Sequence, residues 1–96
     1  RKHQMREIAF SVRVTGDVQG VAYRAWARAE DEMLGLRGWV KNRGDGSVLA
    51  LIAGPEEQVE EMLAEMREGP GAARVTDVWT EPADPAEVPA GFRITG

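Results

Sequence analysis

The chain has 96 residues and no cysteine, so its length suits one domain, and disulfides, thiolate nucleophiles and thiolate metal sites are excluded. Its 12 basic residues against 16 acidic ones give a formal net charge of -4, which argues against a general nucleic-acid binder. No apolar run reaches the length of a transmembrane helix and no signal-peptide pattern leads the chain, so a cytoplasmic location without membrane contact is expected.

The first residues are expected to carry no chemistry. Residues 1–4 are polar and precede Met5, which is expected to be the natural start, with residues 1–4 as a disordered or added tail. His3, the only histidine, lies in this tail and is expected to be solvated rather than catalytic. The expected organisation is a single domain over residues 1–96.

The first half of the chain predicts a strand, a turn and a helix. Residues 6–15 alternate with period two, which predicts a half-buried strand. Its expected inward face consists of Ile8, Phe10, Val12 and Val14. A glycine-containing turn follows, and residues 22–34 predict a helix. The expected apolar stripe of this helix consists of Ala22, Trp26, Ala29 and Met33, and Arg24, Arg28, Asp31 and Glu32 are expected off it.

The second half predicts a hairpin, a second helix and two further strands. Residues 36–43 and 47–53 predict strands joined by a turn with an Asp-Gly pair, which is a strong hairpin signal. A second helix opens at Gly54-Pro55, with the apolar stripe Val59, Met62, Leu63 and Met66, and ends at Gly69. Residues 73–81 and 92–95 predict the last strands, separated by a proline-rich loop.

The element order β-α-β-β-α-β plus a short C-terminal strand indicates an α+β fold. Two helices cannot cover both faces of a sheet of this size. The expected architecture is a two-layer ferredoxin-like sandwich, an antiparallel sheet with both helices on one face.

The turn before the first helix has two interpretations. Gly16 and Gly20 permit unusual backbone angles, so the segment can be a tight connection and nothing more. Alternatively, its N–H groups converge on an anion, as at other helix N-termini. The spacing fits neither G-x-x-x-x-G-K-[ST] nor G-x-G-x-x-G. Arg24 favours the anion, because it adds a cation where the helix dipole is already positive and its side chain can reach back over the turn.

Asn42 is the second candidate. It lies in phase with Gly38 and Val40 on the second strand, so it faces the helices if they do; the alternative is an asparagine that bonds its own backbone beside a hairpin. The chain offers no thiol, no credible histidine base and no paired carboxylates. An arginine, an amide and backbone N–H groups stabilise charge but do little acid–base work, so the leaving group must depart unprotonated, as a carboxylate does from phosphorus.

Two segments carry a resemblance to a known family. VTGDVQGVAYR, residues 14–24, resembles the acylphosphatase signature G-x-V-Q-G-V-x-Phe-Arg, which follows the first strand. GWVKNRGDGSVLALIAG, residues 38–54, resembles the second signature, G-aromatic-V-K-N-x-x-x-G-x-V-x-x-x-x-x-G. The similarity extends over nearly the whole chain. The departures are Tyr23 for phenylalanine, Arg43 for threonine and Leu49 for a commonly acidic residue.

The resemblance implies a ferredoxin-like enzyme that hydrolyses the carboxyl-phosphate bond of small acyl phosphates, releasing inorganic phosphate, with no metal or cofactor. A monomer is expected by default, because the sequence shows no obvious interface strip. It implies that Arg24 holds the phosphate oxygens and Asn42 orients the attacking water. The phosphate would lie in the loop of Gly16, Asp17, Val18, Gln19, Gly20 and Val21.

Two other functions stay open. One is a non-catalytic phosphate-binding or regulatory module of the same fold, such as a domain of a larger carbamoyl-phosphate-handling protein. The other is an RNA-binding ferredoxin-like domain, which would need aromatic residues on the central strands, and residues 47–53 contain none. The physiological acyl group is not readable from the sequence.

Overall fold

The computed structural model describes residues 6–96, so the expected tail and His3 lie outside the described residues. The strands are β1 (Glu7–Asp17), β2 (Arg37–Asn42), β3 (Val48–Pro55), β4 (Arg74–Ala83) and β5 (Phe92–Ile94). The helices are α1 (Tyr23–Met33) and α2 (Glu56–Glu68), with a short 3-10 turn at Pro85–Glu87. Each predicted helix and strand is present, within about two residues at its ends.

The five strands form one sheet in the order β4-β1-β3-β2-β5, and both helices pack against it. The pairs among β1–β4 are antiparallel, as predicted. β5 instead runs parallel to β2, so the sheet is mixed rather than wholly antiparallel. The element order does not determine this edge pairing, because the connection before β5 can return the strand in either direction. The predicted two-layer ferredoxin-like fold is confirmed.

The main core lies between the sheet and the helices. The alternation of β1 has the predicted facing: Val12 and Val14 are fully buried in this core, and Ile8 and Phe10 pack against it. The predicted stripe of α2 is also correct, since all four of its residues are buried. Apolar side chains at period two on the strands and 3.6 on the helix therefore meet in one layer, which supplies the main stabilisation of the fold.

The predicted stripe of α1 is correct only at Trp26, which packs against the main core; Ala22, Ala29 and Met33 are exposed. The buried residues of α1 are Tyr23, Ala27 and Asp31, whereas Met33 is 80 % exposed. These buried residues follow one another at intervals of four, which places them on one face of the helix. Because Asp31 ends this row, the sequence pattern makes the inward face of the helix look polar. Neither helix in residues 6–96 has the length and hydrophobicity that a membrane crossing requires.

Candidate active site

The connection from β1 to α1 is anchored by apolar side chains and has a special backbone geometry. Val18 is 1 % exposed within the main core, and Val21 packs against that core. Between and after them, Gly20 has φ 77° and Ala22 has φ 62°; no other non-glycine residue in 6–96 has a positive φ. Left-handed backbone at a non-glycine residue persists only where the surroundings enforce it, and such residues cluster at functional sites.

The N-terminus of α1 carries uncompensated positive charge. No side chain caps it, and no acidic residue lies in its first turn, whereas the first turn of α2 holds Glu56 and Glu57. The first N–H groups of a helix have no partner within the helix and form the positive end of its dipole. Arg24 adds a full charge in this first turn. The start of α1 is therefore a site that favours an anion.

Arg24 and Asn42 line the same cavity, of about 190 Å³, although they come from different elements. Its other walls come from Val18, Gly20, Ala22, Tyr23, Ala25 and Ile94. The backbone oxygen of Gly96 lies between the two polar residues: it accepts a hydrogen bond from Arg24 Nη1, and another from the Asn42 backbone N–H at 3.2 Å. Gly96 thus links the arginine on α1 to the strand that carries the asparagine.

The side chain of Asn42 has an unused acceptor. Its Oδ1 is buried and has no hydrogen-bond partner among the described residues. Buried amide oxygens are nearly always bonded to protein or water, so this oxygen is available to a water molecule or a ligand. The alternative interpretation, an Asn42 side-chain oxygen that bonds its own backbone, does not match this geometry.

Of the six loop residues predicted to bind phosphate, Val21 packs against the main core, and the other five divide into three groups. Val18 and Gly20 line the cavity. Gly16 and Asp17 belong to the exposed end of β1, where they pair with β4 beyond a bulge. Gln19 turns its side chain to the hairpin between β2 and β3, and its Nε2 donates to the backbone oxygens of Arg43 and Ser47, both at 2.8 Å. Gln19 therefore ties the loop to the hairpin that follows Asn42.

The cavity contains no group suited to proton transfer at neutral pH. The Tyr23 hydroxyl donates a hydrogen bond to the backbone oxygen of Met66 at 2.8 Å, and burial, with the charge of Asp31, raises the pKa of this hydroxyl far above its usual value. In residues 6–96 no group of three or more histidine, cysteine, aspartate or glutamate side chains is arranged to hold a metal ion. The arrangement can bind an anion and orient a neutral nucleophile.

Sequence reasoning missed three parts of this site. The left-handed Ala22 carries no sequence signal, because alanine rarely adopts that conformation. Ile94 and Gly96 lie 70 or more residues after Arg24, and only the pairing of β5 with β2 brings them to the cavity.

A sequence model of the Acylphosphatase family matches residues 10–94. The chain belongs to the acylphosphatase family. It is 60% identical over 84 residues to the acylphosphatase of Rhizobium meliloti (strain 1021), covering 88% of each chain. Its fold is similar to the crystal structure of an acylphosphatase from Bacillus subtilis, with a TM-score of 0.89, 32% identity and coverage of 93% of this chain and 99% of that one. An acylphosphatase structure from Coxiella burnetii has a TM-score of 0.85 at 34% identity, covering 93% of each chain.

The resemblance drawn from the two motifs is confirmed, and with it the class of enzyme, an acyl phosphate hydrolase. The roles expected of individual residues remain predictions.

Proposed function

We propose that this acylphosphatase cleaves the carboxyl-phosphate bond of small acyl phosphates without a metal ion. Arg24 and the Gly16–Val21 loop hold the phosphate, and Asn42 orients the attacking water. The observation that carries the proposal is the shared cavity: Arg24 and Asn42, whose Oδ1 is unpartnered among the described residues, line one cavity at a helix N-terminus with no acidic residue in its first turn.

Phosphate binding follows from the charges at the start of α1. The planar guanidinium of Arg24 matches two phosphate oxygens, and the free N–H groups of the first turn add donors with a fixed direction. Gly20 and Ala22, both with positive φ, turn the backbone of the loop around the cavity. The donors are arranged before the substrate arrives, so they stabilise the charge that develops on the phosphoryl oxygens without reorganisation.

Water activation needs only orientation. The Oδ1 of Asn42 accepts a hydrogen bond from a water molecule and directs its oxygen at the phosphorus. The new P–O bond forms as the bond between phosphorus and the carboxyl oxygen breaks, and the carboxylate leaves with the electron pair of that bond. Both protons of the water end on the phosphate, so an acyl phosphate dianion and water give a carboxylate and dihydrogen phosphate. No protein acid is consumed, which suits a cavity without one.

The proposal also covers the partners and the location of the protein. A small cavity of about 190 Å³ fits a small-molecule substrate, and we propose a cytoplasmic monomer that acts without nucleic acid or membrane. The net charge of -4 is consistent with this, since nucleic acids and anionic lipid surfaces would repel it.

The test is the hydrolysis of benzoyl phosphate with and without a chelator. The wild-type protein is expected to turn over at the same rate in both conditions. Arg24→Ala is expected to lower kcat/KM by about 10²–10³, the usual effect of removing a fixed charge-stabilising group. Asn42→Ala is expected to lower kcat by about 10² while the inhibition constant of inorganic phosphate stays nearly unchanged.

Arg67→Ala is the matched control, because Arg67 is an exposed arginine on α2 and does not line the cavity. Full activity in both Arg24→Ala and Asn42→Ala would refute the residue assignment. If phosphate stabilises the protein against urea but no acyl phosphate is turned over, the chain is a non-catalytic phosphate-binding module instead.

A further inference from the structure

A second cavity adjoins the cavity at Arg24 on the side of α1. This second cavity has a volume of about 260 Å³, and Ala25 and Ile94 line both. Its remaining walls are Arg28, Ala29 and Glu32. We call the two together the α1 groove. The proposed phosphate position lies in its first part, so the second part is available to the acyl group of a bound substrate.

The walls of the groove change character along its length. Ala25 and Ala29 are small, exposed residues of α1, and Ile94 at 37% exposure lies opposite them on β5. Such a strip accommodates a short hydrocarbon chain. Arg28 follows Arg24 by four residues, so the two lie on the same side of the helix, about 6 Å apart along its axis. The groove thus has two cations beside an apolar strip, Arg24 in its first part and Arg28 in its second.

Arg28, the second cation, forms only a weak ion pair within the protein. Arg28 Nε lies 3.5 Å from Glu32 Oε2, and both side chains are about half exposed, at 51% and 52%. An exposed pair of this kind, four residues apart on a helix, contributes little to stability. An anionic group of the ligand can therefore replace Glu32 as the partner of Arg28 at small cost.

We propose that the α1 groove binds the acyl group and selects acyl phosphates with a second anionic group at the far end of a short carbon chain. The phosphoryl group lies at Arg24, the methylene groups lie on Ala25, Ala29 and Ile94, and the distal carboxylate pairs with Arg28. A monoacyl phosphate of a four-carbon dicarboxylic acid is long enough to span the separation of Arg24 and Arg28, about 6 Å along the helix axis. The inference rests on the proposed function, because it takes the phosphate position from it.

The experiment compares succinyl phosphate with butanoyl phosphate, which has the same chain length and a methyl end. The wild-type protein is expected to show a kcat/KM for succinyl phosphate about fivefold above that for butanoyl phosphate, the size expected for one partly exposed charge pair. Raising the salt concentration is expected to reduce this preference. Arg28→Gln is expected to abolish it by lowering only the succinyl value.

Two further variants sharpen the test. Glu32→Gln frees Arg28 and is expected to raise the succinyl value about twofold, with no change for butanoyl phosphate. Arg67→Gln, an exposed arginine on α2, is the matched control and is expected to change neither value. An unchanged preference in Arg28→Gln, or an equal loss for both substrates, would overturn the proposal.

Failure of the proposed function gives a different result. If the wild-type protein hydrolyses neither substrate, the groove is still measured with phosphonate analogues in which a methylene replaces the bridging oxygen. Calorimetry then compares the carboxylate-ended analogue with the methyl-ended one. About fivefold tighter binding of the first, lost in Arg28→Gln, supports the groove without any turnover. Equal affinity of the two analogues overturns it.

Discussion

The stability of the protein is expected to fall as the pH rises from 5 to 7, because of one buried carboxyl group. Asp31 is 1% exposed, and neither of its carboxyl oxygens has a hydrogen-bond partner within residues 6–96. Burial in an apolar layer, with the nearby charge of Glu30, raises the pKa of Asp31 from 3.8 to about 8. In the unfolded chain, the same group ionises at its ordinary value.

The sign and size follow from proton binding. Between pH 3.8 and about 8 the folded protein holds a proton on Asp31 that the unfolded chain has released, so folding is opposed increasingly as the pH rises. The gradient is about 1.4 kcal/mol per pH unit, or about 2.7 kcal/mol between pH 5 and pH 7. For a domain with about 5–15 kcal/mol of total stability, this is a large fraction. Above the folded pKa the gradient from this group disappears.

Asp31→Leu removes the ionisable group and keeps a side chain of similar size. Urea unfolding at pH 5, 6, 7 and 8 is expected to show Asp31→Leu gaining on the wild-type protein, by about 2.7 kcal/mol between pH 5 and pH 7. Glu32→Gln is the control, because it removes an exposed carboxylate from the same helix and leaves the buried group in place. A constant difference between Asp31→Leu and wild type at all pH values would refute the reasoning.

Two further predictions concern the loop before α1. Gly16→Ala is expected to destabilise the protein by about 1–3 kcal/mol in urea unfolding, because Gly16 has φ +124° and a Cβ would lie 2.1 Å from the backbone oxygen of Arg74. Gly44→Ala is the control, because a Cβ at Gly44 would meet nothing within 4 Å. Equal effects of the two substitutions would contradict the steric argument. Gln19→Leu removes both hydrogen bonds to the β2–β3 hairpin, so KM for benzoyl phosphate is expected to rise about tenfold; unchanged kinetics would show that the loop needs no such tie.

The sequence predicts an element well where every position in it agrees with one pattern. The residues of β1 from Phe10 to Val14 alternate between apolar and polar, and their facing is as expected. In α1 the inward row ends in a carboxylate. Burial of a charged group is so unfavourable that pattern reasoning assigns such a residue to the surface, and Met33 was expected inside in place of Asp31. In the folded protein, packing against the sheet places Asp31 inside and Met33 outside.

Part of the site was predictable because some of its residues depart clearly from a sequence pattern. Arg24 stands out in the sequence because a cation at a helix N-terminus conflicts with the helix dipole. That Arg24 and Asn42 lie close together follows once the two strands and the helix are assigned. The contacts of Gly96 were not predictable, because they depend on the direction of a three-residue edge strand far along the chain. The role of the Gln19 side chain was missed because a surface loop gives no periodicity from which its direction can be read.

The anchoring of the loop ties the lifetime of the site to that of the whole fold. Val18 and Tyr23, at either end of the connection, are both buried in the main core, and the Tyr23 hydroxyl is bonded to the far helix. The loop cannot detach without exposing these side chains to water, which loses the free energy gained by burying both. Local fluctuations that inactivate an enzyme before it unfolds are therefore suppressed at this position. Residual turnover in denaturant is therefore expected to follow the fraction of folded molecules.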